Sequence, residues 1–143
     1  MAVAAIDTNV LLARMSRKDA HHDTARRIVE AADHGDLPTM RVTNYVVTET
    51  LNYLHERQEH DVAVELYDRL VQSAGFEPVH TPKADFSQAV DLFRENSGLA
   101  FGDAAIVACM QREDIEYVYS FDDDFDPVTG VTRLNTATNP FSP

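Results

Sequence analysis

The sequence predicts an α/β fold in which helices cover both faces of a central, mostly parallel sheet, a three-layer α/β/α arrangement. Short apolar runs typical of buried parallel strands alternate along the chain with longer stretches of helical periodicity. Parallel strands joined through helices need right-handed crossovers, which place helices on both faces. A length of 143 residues suits one domain. We expect that domain over 1–135 and a loose tail over 136–143.

Short apolar runs mark the expected strands. VAAI at 3–6 comes first, MRVTN at 40–44 second and FEPVH at 76–80 third. IEYVYSF at 115–121 is the last clear strand, and GVTRLN at 130–135 is a candidate edge strand. Turn-forming Gly, Pro and Asp residues separate these runs from their neighbours.

Helical spacing of apolar residues marks the segments between the strands. One helix is expected directly after the first strand, where Asp7-Thr8-Asn9 offers capping side chains. An apolar helix opening at Asp103 carries few charges before Gln111, which places it in the core. The other expected helices lie at about 20–34, 44–57 and 61–73, and around Phe86, Val90 and Phe93.

The net charge of −12 argues at first against a nucleic-acid partner, because binding a polyanion usually draws on clustered Lys and Arg. Residues 1–27 nevertheless carry five basic side chains against three acidic ones. Two Lys against ten Arg, with fifteen Asp among twenty-four acids, resemble the balance of proteins from a high-salt cytoplasm. Under this halophilic hypothesis the acidic surface maintains solubility, and stability should depend on KCl.

No apolar run reaches the roughly 20 residues that a spanning helix needs, and the N-terminus lacks a basic flank before its apolar stretch. We therefore expect a cytoplasmic protein without a membrane partner. The single Cys109 cannot form an internal disulfide and is expected to be a buried free thiol.

Four carboxylates stand at positions that the fold should bring together. Asp7 and Asp122 each follow a strand, Asp103 opens a helix, and Glu49 lies off the apolar stripe of its helix. Each residue taken singly is an ordinary cap, turn or surface acid. Ligands of such sheets bind at the carboxyl ends of the strands, and crowded carboxylates make physical sense around hard cations such as Mg²⁺ or Mn²⁺.

The order of these motifs resembles that of PIN-domain nucleases, especially the VapC-like toxins of toxin–antitoxin pairs. The acids are separated by 42, 54 and 19 positions, and the resemblance covers about residues 2–134. The matching segments are the apolar strand with Asp7-Thr8-Asn9, Thr43 to Glu49 with Leu51, Phe101-Gly102-Asp103-Ala104-Ala105 with Ala108, and Ser120 to Phe125.

The resemblance implies an endoribonuclease that cleaves RNA with a metal-activated water, leaving a 5′-phosphate and a 3′-hydroxyl. Asp7 and Asp103 would be the firmest metal ligands, and Glu49 and Asp122 would complete the set directly or through water. Short polar side chains beside these ligands are expected to orient them, and nearby basic ones to contact RNA phosphates. The expected orienting residues are Thr8, Asn9 and Ser120, and the expected phosphate contacts are Arg14, Arg17 and Lys18.

The same resemblance implies a cognate antitoxin and a homodimer. Apolar residues around Tyr45, Val46 and Tyr53 could form part of a groove for a partner helix, with core packing as the alternative explanation. The sequence leaves three questions open. They are which RNA is cut, which divalent metal is used, and whether the protein acts as a toxin or in RNA processing. Asp123 and Asp124 compete with Asp122 for the fourth acidic position, for which Asp122 is chosen from its spacing to Phe125.

Other interpretations fit fewer residues. A haloacid-dehalogenase-type phosphatase needs a second Asp where Asn9 stands, and a calcium loop needs a Gly where Pro127 stands. The six histidines lack a second cysteine and a zinc-site pattern, so surface positions are expected. A PIN-like binding module that has lost its activity is the non-enzymatic alternative.

Overall fold

A computed structural model describes residues 2–142, and these residues build a five-stranded sheet in which every neighbouring pair is parallel. The spatial order is β3-β2-β1-β4-β5. The first strand in the chain therefore lies at the centre. The strands are β1 (Val3–Ile6), β2 (Thr39–Thr43), β3 (Phe76–Val79), β4 (Tyr117–Tyr119) and β5 (Thr132–Leu134).

Among the described residues, six α-helices connect the strands or extend from them, and a short 3₁₀ helix spans Asp123–Phe125. Across residues 2–142, no helix combines the length and apolar character that crossing a bilayer requires. The helices are α1 (Thr8–Met15), α2 (His22–Asp33), α3 (Asn44–Arg57), α4 (His60–Gln72), α5 (Lys83–Glu95) and α6 (Phe101–Glu113). The predicted α/β fold with a parallel central sheet is confirmed.

The central position of β1 places the residue that follows it, Asp7, at the carboxyl edge of the sheet. Ala5 and Ile6 pair with Val118 and Tyr119 of β4, and the Asp7 N–H donates to the Tyr119 carbonyl over 3.0 Å. Both strands thus reach the carboxyl edge side by side. The sequence after β1 and the sequence after β4 must meet there, as expected for a ligand-binding edge.

Helix α6 contains the longest unbroken run of buried residues among the helices described. Every residue from Ala104 to Met110 is buried, which confirms the expected core position of this apolar stretch. The helix starts at Phe101 rather than at Asp103. Asp103 therefore lies in the first helical turn, where a carboxylate faces the free N–H groups of the helix start.

Strand β4 is shorter than the run from 115 to 121 predicts. The Ile115 N–H still bonds to the carbonyl of Met110, closing α6 through Asp114 in a left-handed conformation. At the other end, the Phe121 N–H donates to the Asn9 side chain and not to a neighbouring strand. The closure of α6 therefore shortens the predicted strand at its start, and the contact with Asn9 shortens it at its end.

Gly75 stands where two elements approach each other too closely for a side chain. A Cβ placed on it would lie 2.1 Å from the carbonyl oxygen of Ala32 in α2. The sequence suggests only that this glycine ends α4, whereas packing of α2 against the start of β3 gives it a steric reason.

Residues 136–142 form no helix or strand, but they contact the sheet. The buried Tyr119 hydroxyl needs an acceptor and donates to the Thr138 carbonyl over 2.6 Å. Asn139 donates to the Asp36 carbonyl, and the Phe141 ring packs edge-on against Tyr117. These contacts hold residues 136–142, in the segment that we expected to be a loose tail, against the sheet. Pro143 of that segment lies outside the described residues.

Candidate active site

A cleft of about 230 Å³ opens at the carboxyl edge of the sheet, above β1 and β4. Starts of α1 and α6, the first half of α3 and the turn after β4 form its wall. All four carboxylates selected from the sequence belong to it. The lining residues are Asp7, Thr8, Asn9, Tyr45, Val46, Glu49, Ala100, Gly102, Asp103, Ile106, Asp122 and Asp124.

Asp7 is held at the floor of the cleft by hydrogen bonds to both carboxylate oxygens. It caps α1, with Oδ1 accepting from the Thr8 N–H at 2.8 Å. Its Oδ2 accepts from the Ser120 hydroxyl at 2.9 Å and from the Asn9 amide at 3.1 Å. The residue is only 6% exposed. Oδ1 thus caps α1 through the Thr8 N–H, whereas Ser120 and Asn9 orient the carboxylate through Oδ2.

Ser120 links Asp7 to the acidic turn that follows β4. Besides donating to Asp7, its hydroxyl accepts from the Asn9 amide at 3.1 Å and from the Asp122 N–H at 3.0 Å. Asn9 in turn accepts from the Phe121 N–H at 3.1 Å. Because each polar atom has a partner, this network fixes the turn relative to Asp7.

Glu49 and Asp103 enter the cleft from two helices. Thr43 caps α3 by accepting from the Val46 N–H, and Glu49 follows in the second turn of that helix with an exposed side chain. Asp103 lies half-buried in the first turn of α6. A Cβ added to Gly102 would stand 3.9 Å from the Glu49 Oε2, so the two helices meet beside their acids.

The electrostatics of the cleft oppose full ionisation of its acids. Burial raises the pKa of Asp7 to about 6, against hydrogen bonds from Ser120 and Thr8 that lower it. The pKa of Asp103 rises to about 7, first through burial and then through repulsion by Asp7, Asp122, Asp124 and Glu49. Within residues 2–142, no residue that lines the cleft is basic. The cleft concentrates negative charge that its own residues leave uncompensated.

The turn after β4 narrows the choice of the fourth acid. Asp122 and Asp124 line the cleft, whereas Asp123 is exposed and does not. Asp122 also accepts from the Asp124 N–H at 3.1 Å, and its proximity raises the pKa of Asp124. This geometry favours Asp122, with Asp124 beside it, over Asp123.

The donors of the cleft fit a hard divalent cation. They are carboxylate oxygens, the ligands that Mg²⁺ and Mn²⁺ prefer, and a cation would relieve the repulsion that raises the pKa of Asp103. Within residues 2–142, only Asp122, Asp123 and Asp124 form a metal-ligand triplet with atoms inside 4.8 Å of one another. Asp7, Glu49 and Asp103 are therefore spread around the cleft and not gathered at one point.

The three basic residues expected near the substrate do not line the cleft. Arg14 stands seven residues along α1 from Asp7, about 10 Å at the helical rise. It lines a narrow groove together with Asp33, Leu66 and Arg69. Arg17 and Lys18 are exposed in the segment between α1 and α2. Their contact with RNA stays a prediction.

The three residues suggested for a partner-helix groove lie at two separate places on α3, and which surface binds a partner stays a prediction. Tyr45 and Val46 line the acidic cleft, and Tyr53 lies on the exposed surface of α3. A separate groove of about 510 Å³ runs between α3 and α4. Only the packing of α3 against α4 brings the residues of this groove together. Its lining is Leu51, Asn52, His55, His60, Ala63, Val64 and Tyr67.

Comparison with known proteins identifies the family. A family model described as the PIN domain matches residues 4–131, most of the chain. The chain belongs to the PIN-domain family. This membership confirms the resemblance recognised in the motifs and removes the haloacid-dehalogenase alternative. No curated protein sequence matches the chain.

Solved PIN-domain structures cover nearly the whole chain. VapC20 of Mycobacterium tuberculosis, described as a Sarcin-Ricin loop cleaving toxin, is 25% identical with a TM-score of 0.75, over 90% of this chain and 95% of that one. A toxin–antitoxin complex from Klebsiella pneumoniae is 20% identical with a TM-score of 0.67, over 95% and 98%. VapBC2 of Rickettsia felis, bound to a promoter DNA fragment, is 11% identical with a TM-score of 0.70, over 92% and 97%.

Cys109 belongs to the core of this PIN domain and not to its cleft. It is buried, as expected, and its thiol donates to the Glu113 Oε2 over 3.2 Å. Burial and the neighbouring Glu113 carboxylate raise the thiol pKa to about 12. A thiol held protonated in this way is a poor nucleophile.

Proposed function

We propose that this PIN-domain protein is a Mg²⁺- or Mn²⁺-dependent endoribonuclease and the toxin of a toxin–antitoxin pair. The proposal rests mainly on two acids, the buried Asp7 and the half-buried Asp103, which face a cleft without a basic partner. The likeness to VapC20, whose description names cleavage of the Sarcin-Ricin loop, supports RNA as the substrate.

Each cleft residue has a role in this proposal. Asp7 and Asp103 hold the cation most directly, and Glu49 and Asp122 complete the set from opposite walls. The bound cation would supply an acidified water and stabilise charge on the leaving 3′ oxygen. Asn9 and Ser120 keep the Asp7 carboxylate in one orientation through their hydrogen bonds, and the Thr8 N–H holds its other oxygen.

A toxin of this kind acts on cytoplasmic RNA and is held inactive by an antitoxin. The groove between α3 and α4 supports binding of an apolar partner segment, since Val64, Tyr67 and Val71 of α4 are each more than 40% exposed. The structures from Klebsiella and Rickettsia, named as a toxin–antitoxin complex and as VapBC2 bound to DNA, are consistent with such a partner. We extend the proposal to a homodimer, which light scattering at working salt would test.

The test of the nuclease is cleavage of a labelled mixed-sequence RNA in high KCl with Mn²⁺, with EDTA, and with Asp7→Asn and Asp103→Asn. Loss of one ligand should slow cleavage by roughly 10³-fold, because the cation supplies several kcal/mol of transition-state stabilisation. Asp91→Asn is the matched control: it removes the same charge from an exposed position on α5 that does not line the cleft. It should cleave at nearly the wild-type rate.

Three outcomes separate the competing functions. Cleavage that needs the metal, Asp7 and Asp103, and tolerates Asp91→Asn, supports the proposal. Metal binding without cleavage of this RNA points to a narrower substrate class, which a structured ribosomal stem-loop would probe next. A protein that binds no divalent cation would instead be the binding module, and the nuclease proposal would be abandoned.

Unfolding measured from low to molar KCl tests the halophilic hypothesis in the same preparation.

A further inference from the structure

Two aromatic rings stack at the edge of the cleft, from segments a hundred residues apart. The His21 and Phe121 rings lie 4.3 Å apart between centroids, with only 11° between their planes. Phe121 sits between Ser120 and Asp122, and its N–H donates to Asn9. The stack therefore joins the segment before α2 to the acidic turn of the cleft.

The segment that carries His21 is ordered by hydrogen bonds. The His21 N–H donates to the Asp19 carboxylate at 2.8 Å, and the Asp19 N–H donates to the Ser16 carbonyl at 3.1 Å. The neighbouring His22 contacts the Ala13 carbonyl through Nδ1 at 2.9 Å. His21 is nevertheless exposed. One ring face rests on Phe121, and the exposure of the residue leaves the ring accessible to a ligand.

The same segment carries two exposed basic side chains. Arg17 and Lys18 are exposed and form no ion pair within the part of the chain from 2 to 142. Five arginines are held by Asp or Glu, as Arg26 is by Glu30. What distinguishes Arg17 and Lys18 from the other exposed cations is their place, four and three residues before the ring that stacks on Phe121.

We propose that His21 is a stacking site for one unpaired base of the RNA, and that Arg17 and Lys18 hold the phosphates flanking that base. The inference rests on the proposed nuclease function and deepens it, because it identifies the RNA as single-stranded or looped beside the cut. Specific RNA recognition uses splayed bases stacked on aromatic side chains. Stacking tolerates any base, since each has a π-face, whereas the phosphate contacts fix the position along the strand.

The test is a thermodynamic cycle between the protein and the RNA. Binding of a short fluorescein-labelled single-stranded RNA is measured by anisotropy, with the full chain in an Asp103→Asn background so that the RNA stays intact. His21→Ala is combined with a series of RNAs in which one base at a time is replaced by an abasic residue. Removing the ring should weaken binding about tenfold, within the range for one stacked base. At one abasic position, and only there, His21→Ala should have no further effect.

Two controls distinguish stacking from support of the fold. His21→Phe keeps a flat ring on Phe121 and should retain both the affinity and its dependence on that base. His34→Ala removes an exposed histidine at the far end of α2 and should leave binding unchanged. A His21→Ala loss that is equal for every abasic RNA, or no loss at all, would overturn the proposal.

The outcome stays separable from the fate of the nuclease. Cleavage of RNA by the wild-type chain together with no coupling at His21 removes the stacking site alone. Absence of both cleavage and binding overturns both proposals. In cleavage assays, His21→Ala in the active chain should raise KM for single-stranded RNA and leave kcat nearly unchanged, whereas a positioning role through Asp122 would lower kcat.

Discussion

Two buried aspartates, Asp7 and Asp85, lie in opposite electrostatic environments. Asp85 on α5 is 3% exposed, and both its oxygens accept from the Arg112 Nε on α6, at 2.8 and 2.9 Å. Asp7 is 6% exposed, and its donors are a backbone N–H, a hydroxyl and an amide, all of them neutral. The first acid stabilises the fold with its own counter-charge, whereas the second has no counter-charge and needs one from outside the chain.

The largest expected effect of this difference is a dependence of stability on divalent cations. Mn²⁺ should raise the free energy of unfolding by about 2.7 kcal/mol at one hundred times its dissociation constant, because only the folded chain assembles the site. Thermal melts with Mn²⁺ and with EDTA measure it. Asp103→Asn should lose most of the gain, and Asp85→Asn, although less stable, should keep it. An undiminished gain in Asp103→Asn would place the ion elsewhere.

Removing the acid that does have a partner should destabilise the protein directly. Asp85→Asn leaves Arg112 without its carboxylate and should lower the free energy of unfolding by about 2 kcal/mol, less than for a fully buried pair because Arg112 is 45% exposed. Urea unfolding gives the value. The control is Glu30→Gln, which breaks the exposed i,i+4 pair with Arg26 and should cost about 0.5 kcal/mol. Equal costs would mean that burial adds nothing to the Asp85–Arg112 pair.

The smallest expected effect is a gain in stability from removing an unpaired acid. The pKa of Asp103 is about 7 in the folded chain, against the ordinary aspartate value of 3.8 that applies to the unfolded chain. Between these pH values the folded state retains a proton that the unfolded state has released, so metal-free stability falls as the pH rises. Asp103→Asn should remove the part of that fall that Asp103 causes, leave the part that Asp7 causes, and add about 1 kcal/mol at pH 8, discounted for partial exposure.

The pH series contains its own controls. Wild type and Asp103→Asn should be equally stable near pH 4, and Asp91→Asn, at an exposed position on α5, should follow wild type throughout. Asp7→Asn should gain less than Asp103→Asn, because an amide NH₂ would meet the Ser120 and Asn9 donors that now bind the Asp7 Oδ2. A variant Asp103→Asn that is less stable than wild type at pH 8 in EDTA would contradict the electrostatic account.

Local patterns were sufficient to predict most of the fold and the four acids. Alternating apolar runs and helical periodicities depend on neighbours within a few residues, and α3 has the bounds that its pattern predicted. Asp7 and Asp122 follow strands that prove to be adjacent. Parallel strands must end at a common edge, so the convergence of these acids followed from the chain order alone.

Boundaries and pairings depended on contacts that no local pattern contains. Helix α6 starts two residues before Asp103, and β4 loses both its predicted ends to a helix closure and to the Asn9 side chain. Arg14, predicted near substrate, lies in the groove with Leu66 and Arg69. Sequence periodicity predicts the helical face on which a residue lies, but long-range packing determines which element covers that face.

The sequence by itself determined the fold class, the family motifs and which carboxylates reach the sheet edge, because strand order and spacing are properties of the chain. Only the tertiary structure decided which acids are neutralised and which are not. Asp85 and Asp7 are both buried, and a distant Arg112 distinguishes them. The stack of His21 on Phe121 has the same origin: charge pairing and ring contact depend on distances of a few ångströms between segments remote in the chain.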